Sequence, residues 1–296
     1  VEEGGGRRLT LADGRVVVTC GVGDKASNAL RLTAIGLGGH GSLPARSDNP
    51  LFRLGRLLAA LAAGRPTRTL VPAADAMLRA LAGVQAGAGT GTGTGAGGRA
   101  PAISEFEIEQ LMLAAQTQAP GVAATIDAAT RITMSPTRLR SGSKAINVVP
   151  NEASVDIDCR LLPGQTPDHA VAELARLLEA AGEPAGSFTI ESLNPAPLGG
   201  AASPFHTPFA TACAESLAAV DPGVELVPTL NPFFTDAHHL RQGWGTTTYG
   251  LWPWKHTPAA VYDSGVHAID ERVHVDDLAH ATAWHIDLLT RWSAAR

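Results

Sequence analysis

The stretch A-S-V-D-I-D-C-R-L, residues 153–161, alternates between apolar and polar side chains over most of its length. Successive side chains of a strand point to opposite faces, so its apolar residues fall on one side of an extended chain. Asp156, Asp158 and Arg160 fall on the other side. The pattern predicts a strand with one face in a hydrophobic core and one face open.

Further predicted elements surround this strand in a recognisable order. Alternating or periodic apolar residues indicate strands at 30–35, 130–136 and 187–193, and helices at 51–63 and from Pro167 onward. Strand, helix, strand, strand, helix, strand is the order of a split β-α-β, ferredoxin-like module. We therefore predict a separate inserted α+β domain over residues 28–198.

The residues on both sides of this insert alternate between strands and helices. Strands are indicated at 16–23, 224–227 and 246–251, and helices at 209–220 and 277–292. These segments predict a second, α/β domain formed by residues 1–27 and 199–296. The predicted fold class is therefore α/β with an inserted α+β domain.

Composition excludes several classes of protein. The 296 residues carry a formal net charge of −5, which provides no basic field for nucleic acid. No apolar run reaches the roughly 20 residues that a membrane-spanning helix needs. The three cysteines are far apart and form no C-x-x-C motif, which favours a reducing compartment and a cytoplasmic location.

Three segments place a potential ligand beside glycine. In V-Y-D-S-G-V-H-A-I-D-E-R-V-H-V, residues 261–275, we predict a loop leaving a strand end that directs His267 outward as a metal ligand. His40 lies between glycines in G-G-H-G, where its imidazole is unshielded, although a solvated loop histidine is the alternative. Glu2 and Glu3 precede three glycines, where a solvated acidic loop is the alternative.

Asn147 and Arg160 are candidates for binding a carboxylate. They lie thirteen positions apart, and a turn between paired strands would bring the amide and the guanidinium together. Arginine offers a bidentate fork to a carboxylate. The alternative, a surface arginine paired with its neighbouring aspartates, is about equally consistent with the residues.

Two further features are assigned no chemistry. The run G-A-G-T-G-T-G-T-G-A-G-G at 87–98 is predicted to be a flexible surface insertion, because no Lys-Ser or Lys-Thr follows it as in a phosphate loop. A nucleotide-binding function is accordingly disfavoured. His238 and His239 are adjacent at a helix start and point in different directions, so they are not expected to share one metal.

Several separated motifs occur together in one order. They are G-G-H-G-S-L-P at 38–44, N-V-V-P-N-E-A at 147–153, D-C-R-L-L-P-G at 158–164, T-D-A-H-H-L-R at 235–241 and V-H-A-I-D-E-R-V at 266–273. As a set they resemble the co-catalytic zinc metallopeptidase family that includes aminoacylase, carboxypeptidase G and succinyl-diaminopimelate desuccinylase. The resemblance covers nearly the whole chain.

The resemblance implies roles for individual residues. His267 matches a ligand of one of two zinc ions, and Glu3 matches the carboxylate ligand of the other, with Glu2 as the open alternative. His40 matches a histidine that reaches into the partner subunit's site and helps stabilise the oxyanion. Asn147 and Arg160 match residues that hold the substrate. The inserted domain matches the family's lid, through which a homodimer forms.

The sequence also departs from the family pattern. No His-x-Asp motif or bridging aspartate precedes the lid, so we expect an N-terminal part of the catalytic domain to lie upstream. The resulting prediction is an incomplete zinc-peptidase-like α/β catalytic domain with a ferredoxin-like lid. The implied activity is hydrolysis of an amide bond in an N-acyl amino acid or small peptide with a free carboxylate.

The implied cofactor is two zinc ions, although histidine and carboxylate sites also accept cobalt or manganese. Because ligands are missing, we expect the chain to be inactive by itself. The alternative function is a non-catalytic dimerisation or carboxylate-binding protein derived from the family.

Overall fold

The computed structural model describes residues 1–83, 103–118, 120–194 and 196–294. The predicted glycine-rich insertion at 87–98 lies outside the described residues. Backbone contacts divide the chain into two compact units. Unit 1 comprises Val1–Asp24, Leu70–Thr130 and Ala201–Arg296, and unit 2 comprises Lys25–Thr69 and Arg131–Gly200.

The described strands and helices are numbered along the chain. The strands are β1 (Arg8–Thr10), β2 (Val16–Asp24), β3 (Ala26–Ile35), β4 (Gly39–His40), β5 (Thr133–Ser141), β6 (Val148–Val149), β7 (Glu152–Leu161), β8 (Phe188–Ser192) and β9 (Val224–Asn231). The α-helices are α1 (Pro50–Ala63), α2 (Pro72–Ala82), α3 (Glu105–Gln118), α4 (Pro120–Ala129), α5 (Pro167–Ala180), α6 (Pro208–Val220), α7 (Ala237–Trp244), α8 (Ala259–Gly265) and α9 (Val275–Ala294), and a 3₁₀ turn spans Pro44–Arg46.

Unit 2 is a ferredoxin-like module. Its four-stranded sheet has the order β5-β7-β3-β8, and every neighbouring pair is antiparallel. Along the chain these strands and the helices α1 and α5 follow the predicted split β-α-β order. The stretch that predicted the fold forms β7, which lies at the centre of the sheet between β5 and β3.

The two faces of this sheet differ as the alternation predicts. The helix-covered face forms the core of unit 2, in which side chains of β3 and β7 pack with those of α1 and α5. Helix α1 begins where Asn49 accepts a hydrogen bond from the Leu51 amide at 3.0 Å, with Pro50 at its first position. The open face carries the charged residues of β7.

Unit 1 is built on a smaller sheet with the order β1-β2-β9, in which β2 and β9 are parallel. Helices α6 and α9 pack against each other, and the buried Trp284 indole donates to the Cys213 carbonyl at 3.2 Å. The predicted strand at 246–251 is instead a segment with isolated bridges from Gly250 to Glu2 and Gly21. Pairing is confined to that one residue, so no strand is formed.

The predicted domain boundaries remain a prediction, and the contacts differ from them in one respect. The predicted insert runs from 28 to 198, whereas the contacts group its middle part, Leu70–Thr130, with unit 1. Helix α2 explains the difference, because the sulfur of its buried Met77 lies 3.3 Å from the Thr229 hydroxyl of β9.

Cys20, Cys159 and Cys213 are all free and buried. Among the described residues, no helix combines the length and apolar character of a membrane span.

Candidate functional site

The carboxyl ends of the parallel strands β2 and β9 lie side by side in unit 1. Asp24 ends β2 and pairs in register with Asn231, which ends β9. In open α/β sheets, ligands bind beyond this end of the strands. The structure therefore places the candidate site of unit 1 at this edge.

Asp24 is fully buried and paired. Its Oδ1 accepts a hydrogen bond from Arg241 Nη1 at 3.1 Å, and its Oδ2 accepts from the Thr235 amide at 3.2 Å and hydroxyl at 3.1 Å. Arg241 also donates to Ser203 Oγ at 3.2 Å and to the Thr248 carbonyl at 2.8 Å. The first and last residues of the T-D-A-H-H-L-R motif thus hold one buried carboxylate.

Sequence reasoning missed Asp24 and Arg241. The available signal was a charged pair, Asp24-Lys25, that directly follows a run of apolar and glycine residues. The rings of the adjacent residues His238 and His239 lie 5.0 Å apart, centroid to centroid, so the two side chains do not point away from each other. His238 is buried and His239 is exposed, and burial lowers the pKa of His238.

Glu2 and Glu3 differ in environment. Glu3, the predicted metal ligand, is exposed. Glu2 is half-buried, its Oε2 accepts from the Gly4 amide at 3.0 Å, and its buried Oε1 has no hydrogen-bond partner. Burial raises the pKa of Glu2 to about 7. Of the two carboxylates, Glu2 is the one held in a defined position.

The glycines after Glu2 and Glu3 are needed for close packing. A Cβ atom on Gly4 would lie 2.2 Å from Asn231 Nδ2 and 3.0 Å from Glu2 Oε1. Neither of these buried atoms has a hydrogen-bond partner in the described part of the chain. The V-E-E-G-G-G segment therefore brings an orphaned carboxylate oxygen and an orphaned amide nitrogen to the same glycine.

His267 follows helix α8, so the prediction that it leaves a strand end was wrong. The residue has a left-handed backbone with φ of 61°, and it is exposed. Its amide donates to Glu271 Oε2 at 3.3 Å. Helix α8 ends two residues earlier at Gly265, and the chain then turns away from the helical conformation.

These residues do not fit the two-zinc centre that the resemblance implies. Within residues 1–83, 103–118, 120–194 and 196–294, no group of three or more histidine, cysteine, aspartate or glutamate side chains is arranged to hold a metal ion. A zinc site normally uses three or four protein ligands. The described part of the chain supplies no such set around Glu3 or His267.

In unit 2, a small two-stranded sheet brings the backbones of His40 and Asn147 close together. Strands β4 and β6 pair antiparallel with His40 opposite Val148, and the Gly41 amide donates to the Asn147 carbonyl at 2.8 Å. Both predicted site residues are exposed. The backbones of two segments about a hundred residues apart in sequence thus meet at these two residues.

Arg160 lies elsewhere on unit 2. It forms a bidentate pair with Asp158, with Nε to Oδ1 at 2.8 Å and Nη2 to Oδ2 at 3.0 Å. The prediction that a turn brings it to Asn147 was wrong. Asn147 belongs to the loop at the Glu152 end of β7, and Arg160 is about 26 Å farther along the extended strand.

The antiparallel sheet β5-β7-β3-β8, its two helices and the added two-stranded β4–β6 sheet make unit 2 an extended ferredoxin-like module. The family model described as the peptidase dimerisation domain of the M20 peptidases matches residues 22–185. The chain belongs to this M20 peptidase family.

Two solved structures share the fold. The chain resembles an M20 family metallo-carboxypeptidase from Sulfolobus solfataricus, with TM-score 0.53, 18% identity and coverage of 95% of this chain and 61% of that one. It also resembles the dipeptidase Dug1p from Saccharomyces cerevisiae, with TM-score 0.56, 14% identity and coverage of 99% and 58%. The chain thus spans about three fifths of the length of these structures. Sequence comparison with curated proteins finds no significant match.

Proposed function

We propose that this chain is part of a hydrolase that cleaves the amide bond of an N-acyl amino acid or small peptide with a free carboxylate. Family membership supports the reaction class. Unit 2 would act as the lid that holds the substrate and forms a homodimer. Zinc, with cobalt and manganese as substitutes, is the metal proposed for the complete enzyme.

The observation that carries the proposal is the two-stranded β4–β6 sheet with its exposed His40 and Asn147. The Ser42 amide donates to His40 Nδ1 at 3.2 Å, and the Ser42 hydroxyl lies 2.8 Å from the same nitrogen. Because a backbone N–H only donates, Nδ1 is the acceptor and the neutral ring carries its proton on Nε2. His40 therefore presents an N–H donor, which is the group that stabilises the oxyanion formed during amide hydrolysis.

We expect His40→Ala to lower kcat by about 10²–10³-fold, because removing one oxyanion donor has an effect of this size. The assay is hydrolysis of dipeptides and N-acetyl amino acids by the complete enzyme that contains this chain, with zinc, cobalt or manganese added in turn. His169→Gln is a matched control, since His169 is also an exposed histidine of unit 2 but caps α5.

The KM should change little in His40→Ala, and the melting temperature should be unaffected because the side chain is exposed. Equal activity of the variant and the protein would contradict the role of His40. Absence of hydrolysis by the complete enzyme under every metal condition would contradict the proposed activity. Sedimentation equilibrium of the same samples tests the homodimer.

A non-catalytic carboxylate-binding function is the second candidate, and a cavity favours it. A cavity of about 400 Å³ on the open face of the unit 2 sheet is lined by residues of this unit alone, including Arg160 and Asp158. Such a binding site needs no metal. Binding of N-acetyl amino acids that persists without metal and is lost in Arg160→Ala, together with no hydrolysis, would identify this function.

A further inference from the structure

The open face of the unit 2 sheet carries three arginines around one carboxylate. Asp156 of β7 pairs in register with Arg31 of β3 on one side and with Arg138 of β5 on the other. Arg31 Nε donates to Oδ1 at 2.7 Å, while Arg138 Nη2 at 2.6 Å and Arg140 Nε at 3.2 Å contact Oδ2. One buried aspartate therefore holds three guanidinium groups.

The charges of this cluster do not balance. The hydrogen bond from Arg31 is the main reason that the pKa of Asp156 lies below its ordinary value, so the carboxylate stays ionised. Three cations and one anion leave two excess positive charges. Exposed Glu191, opposite Arg31 in the register, offsets one of them. The remaining excess is therefore concentrated at Arg138 and Arg140.

The side chains of Arg138 and Arg140 are accessible to solvent, whereas that of Asp156, which holds them, is buried. Their side chains are 63% and 47% exposed, and that of Asp156 is 7% exposed. They lie two residues apart on the same side of β5, about 7 Å along the strand. Contact with Asp156 reduces their rotational freedom, so less entropy is lost when an oxyanion binds.

The cavity on the open face of the sheet connects this cluster with Arg160. It has a volume of about 400 Å³, within the range of small-ligand sites. The small residues Ser27 and Ala29 line it, and they pair in register with Arg160 and Asp158. Arg138 and Arg160 both line it, and Arg160 lies about 13 Å along β7 from Asp156.

We propose that this cavity binds a ligand with two carboxylates, one at Arg160 and the other at Arg138, with Arg140 two residues farther along β5. The substrate class is then a peptide or N-acyl amino acid that carries a second, acidic group. This inference deepens the proposed function and rests on its assignment of Arg160 to the substrate carboxylate. The charge excess at Arg138 and Arg140 selects the dianionic ligand over a monoanionic one of the same size.

The test compares Gly-Glu with Gly-Gln, which are nearly equal in shape and differ in one charge. Isothermal titration calorimetry on the whole chain, dialysed free of metal ions, measures both dissociation constants without turnover. We expect Gly-Glu to bind about tenfold more tightly, as a charge-assisted hydrogen bond implies. Arg138→Gln/Arg140→Gln should abolish this difference.

Arg176→Gln removes an arginine of similar exposure from a one-to-one pair with Glu173 on α5, and it should preserve the tenfold preference. Arg138→Lys/Arg140→Lys retains both positive charges but lacks the planar guanidinium groups, so it should retain part of the preference for Gly-Glu. This variant keeps the test valid if the glutamine variant is unfolded. Equal binding of the two dipeptides, or no binding of either, would overturn the proposal. Inorganic phosphate that binds as tightly as Gly-Glu would also overturn it. Binding is measured without turnover, so the two proposals can fail separately. A tenfold preference for Gly-Glu with no hydrolysis by the complete enzyme would support the binding proposal and contradict the proposed activity.

Discussion

Arg241→Met is expected to lower the free energy of unfolding by about 3–5 kcal/mol, because it leaves a buried carboxylate without its countercharge. Asp24 is inaccessible to solvent, and the Arg241 side chain is only 4% exposed. The substitution also removes the hydrogen bonds that the guanidinium donates to Ser203 Oγ and to the Thr248 carbonyl. Urea unfolding followed by circular dichroism measures the loss.

Arg15→Met is the matched control for this prediction. Arg15 forms an ion pair with Asp13 at 2.7 Å in the same unit, but the two side chains are 30% and 49% exposed. Exposed pairs contribute about 0–1 kcal/mol, so this variant should unfold close to the original midpoint. Similar losses in the two variants would contradict the view that burial makes the Asp24–Arg241 pair important.

Asp277→Ala is expected to lower the free energy of unfolding by about 3–5 kcal/mol, because it removes a carboxylate that accepts four charge-assisted hydrogen bonds. Asp277 lies fully buried in the first turn of α9. Its Oδ1 accepts from the Lys255 and His256 amides at 2.8 Å each. Its Oδ2 accepts from the Thr257 amide at 2.7 Å and hydroxyl at 2.5 Å. Thermal unfolding measures the effect.

Asp276→Ala is the control, because Asp276 is the exposed neighbour in the same helical turn. A helix-dipole effect would be shared by both aspartates, whereas the hydrogen bonds belong to Asp277 alone. A loss in Asp276→Ala equal to that in Asp277→Ala would therefore contradict the prediction.

Acid should reduce the contribution of Asp277. Burial alone raises the pKa of this carboxyl, but the hydrogen bonds from Thr257, His256 and Lys255 outweigh burial and hold the pKa below the ordinary 3.8. A carboxyl whose pKa is lowered in the folded state adds stability above its unfolded pKa and loses it as the pH falls through the folded value. The free energy of unfolding of the protein should therefore approach that of Asp277→Ala below about pH 4. If the two free energies of unfolding differ by the same amount from about pH 7 to about pH 3, this linkage is contradicted.

The fold of unit 2 could be predicted because its signals are local. Strand β7 repeats with a period of two, and helix α1 combines Asn49 and Pro50 at its start with a helical period of leucines. The segment at 246–251 shows where local signals fail. Its β-branched and aromatic residues favour a strand, yet Gly250 makes only isolated bridges.

The candidate site was only partly predictable. The glycines around His40 indicated an accessible imidazole, and the structure shows that this residue of β4 is exposed. The separation of Asn147 from Arg160 was not predictable, because it depends on which strand the loop after β5 pairs with. That loop pairs with β4, a partner more than a hundred residues away, through two register positions.

The sequence by itself determined the α/β class, the order of elements in unit 2 and, through the set of separated motifs, the family. These properties follow from side-chain periodicity and from residues within one element, where the physical forces act over a few positions. Tertiary structure alone decided the partners of buried charges. Asp24 and Arg241 are 217 residues apart, and three arginines from two strands meet at Asp156. Such pairings arise because a buried charge must find an opposite charge wherever the packed chain supplies one, and no local pattern records that choice.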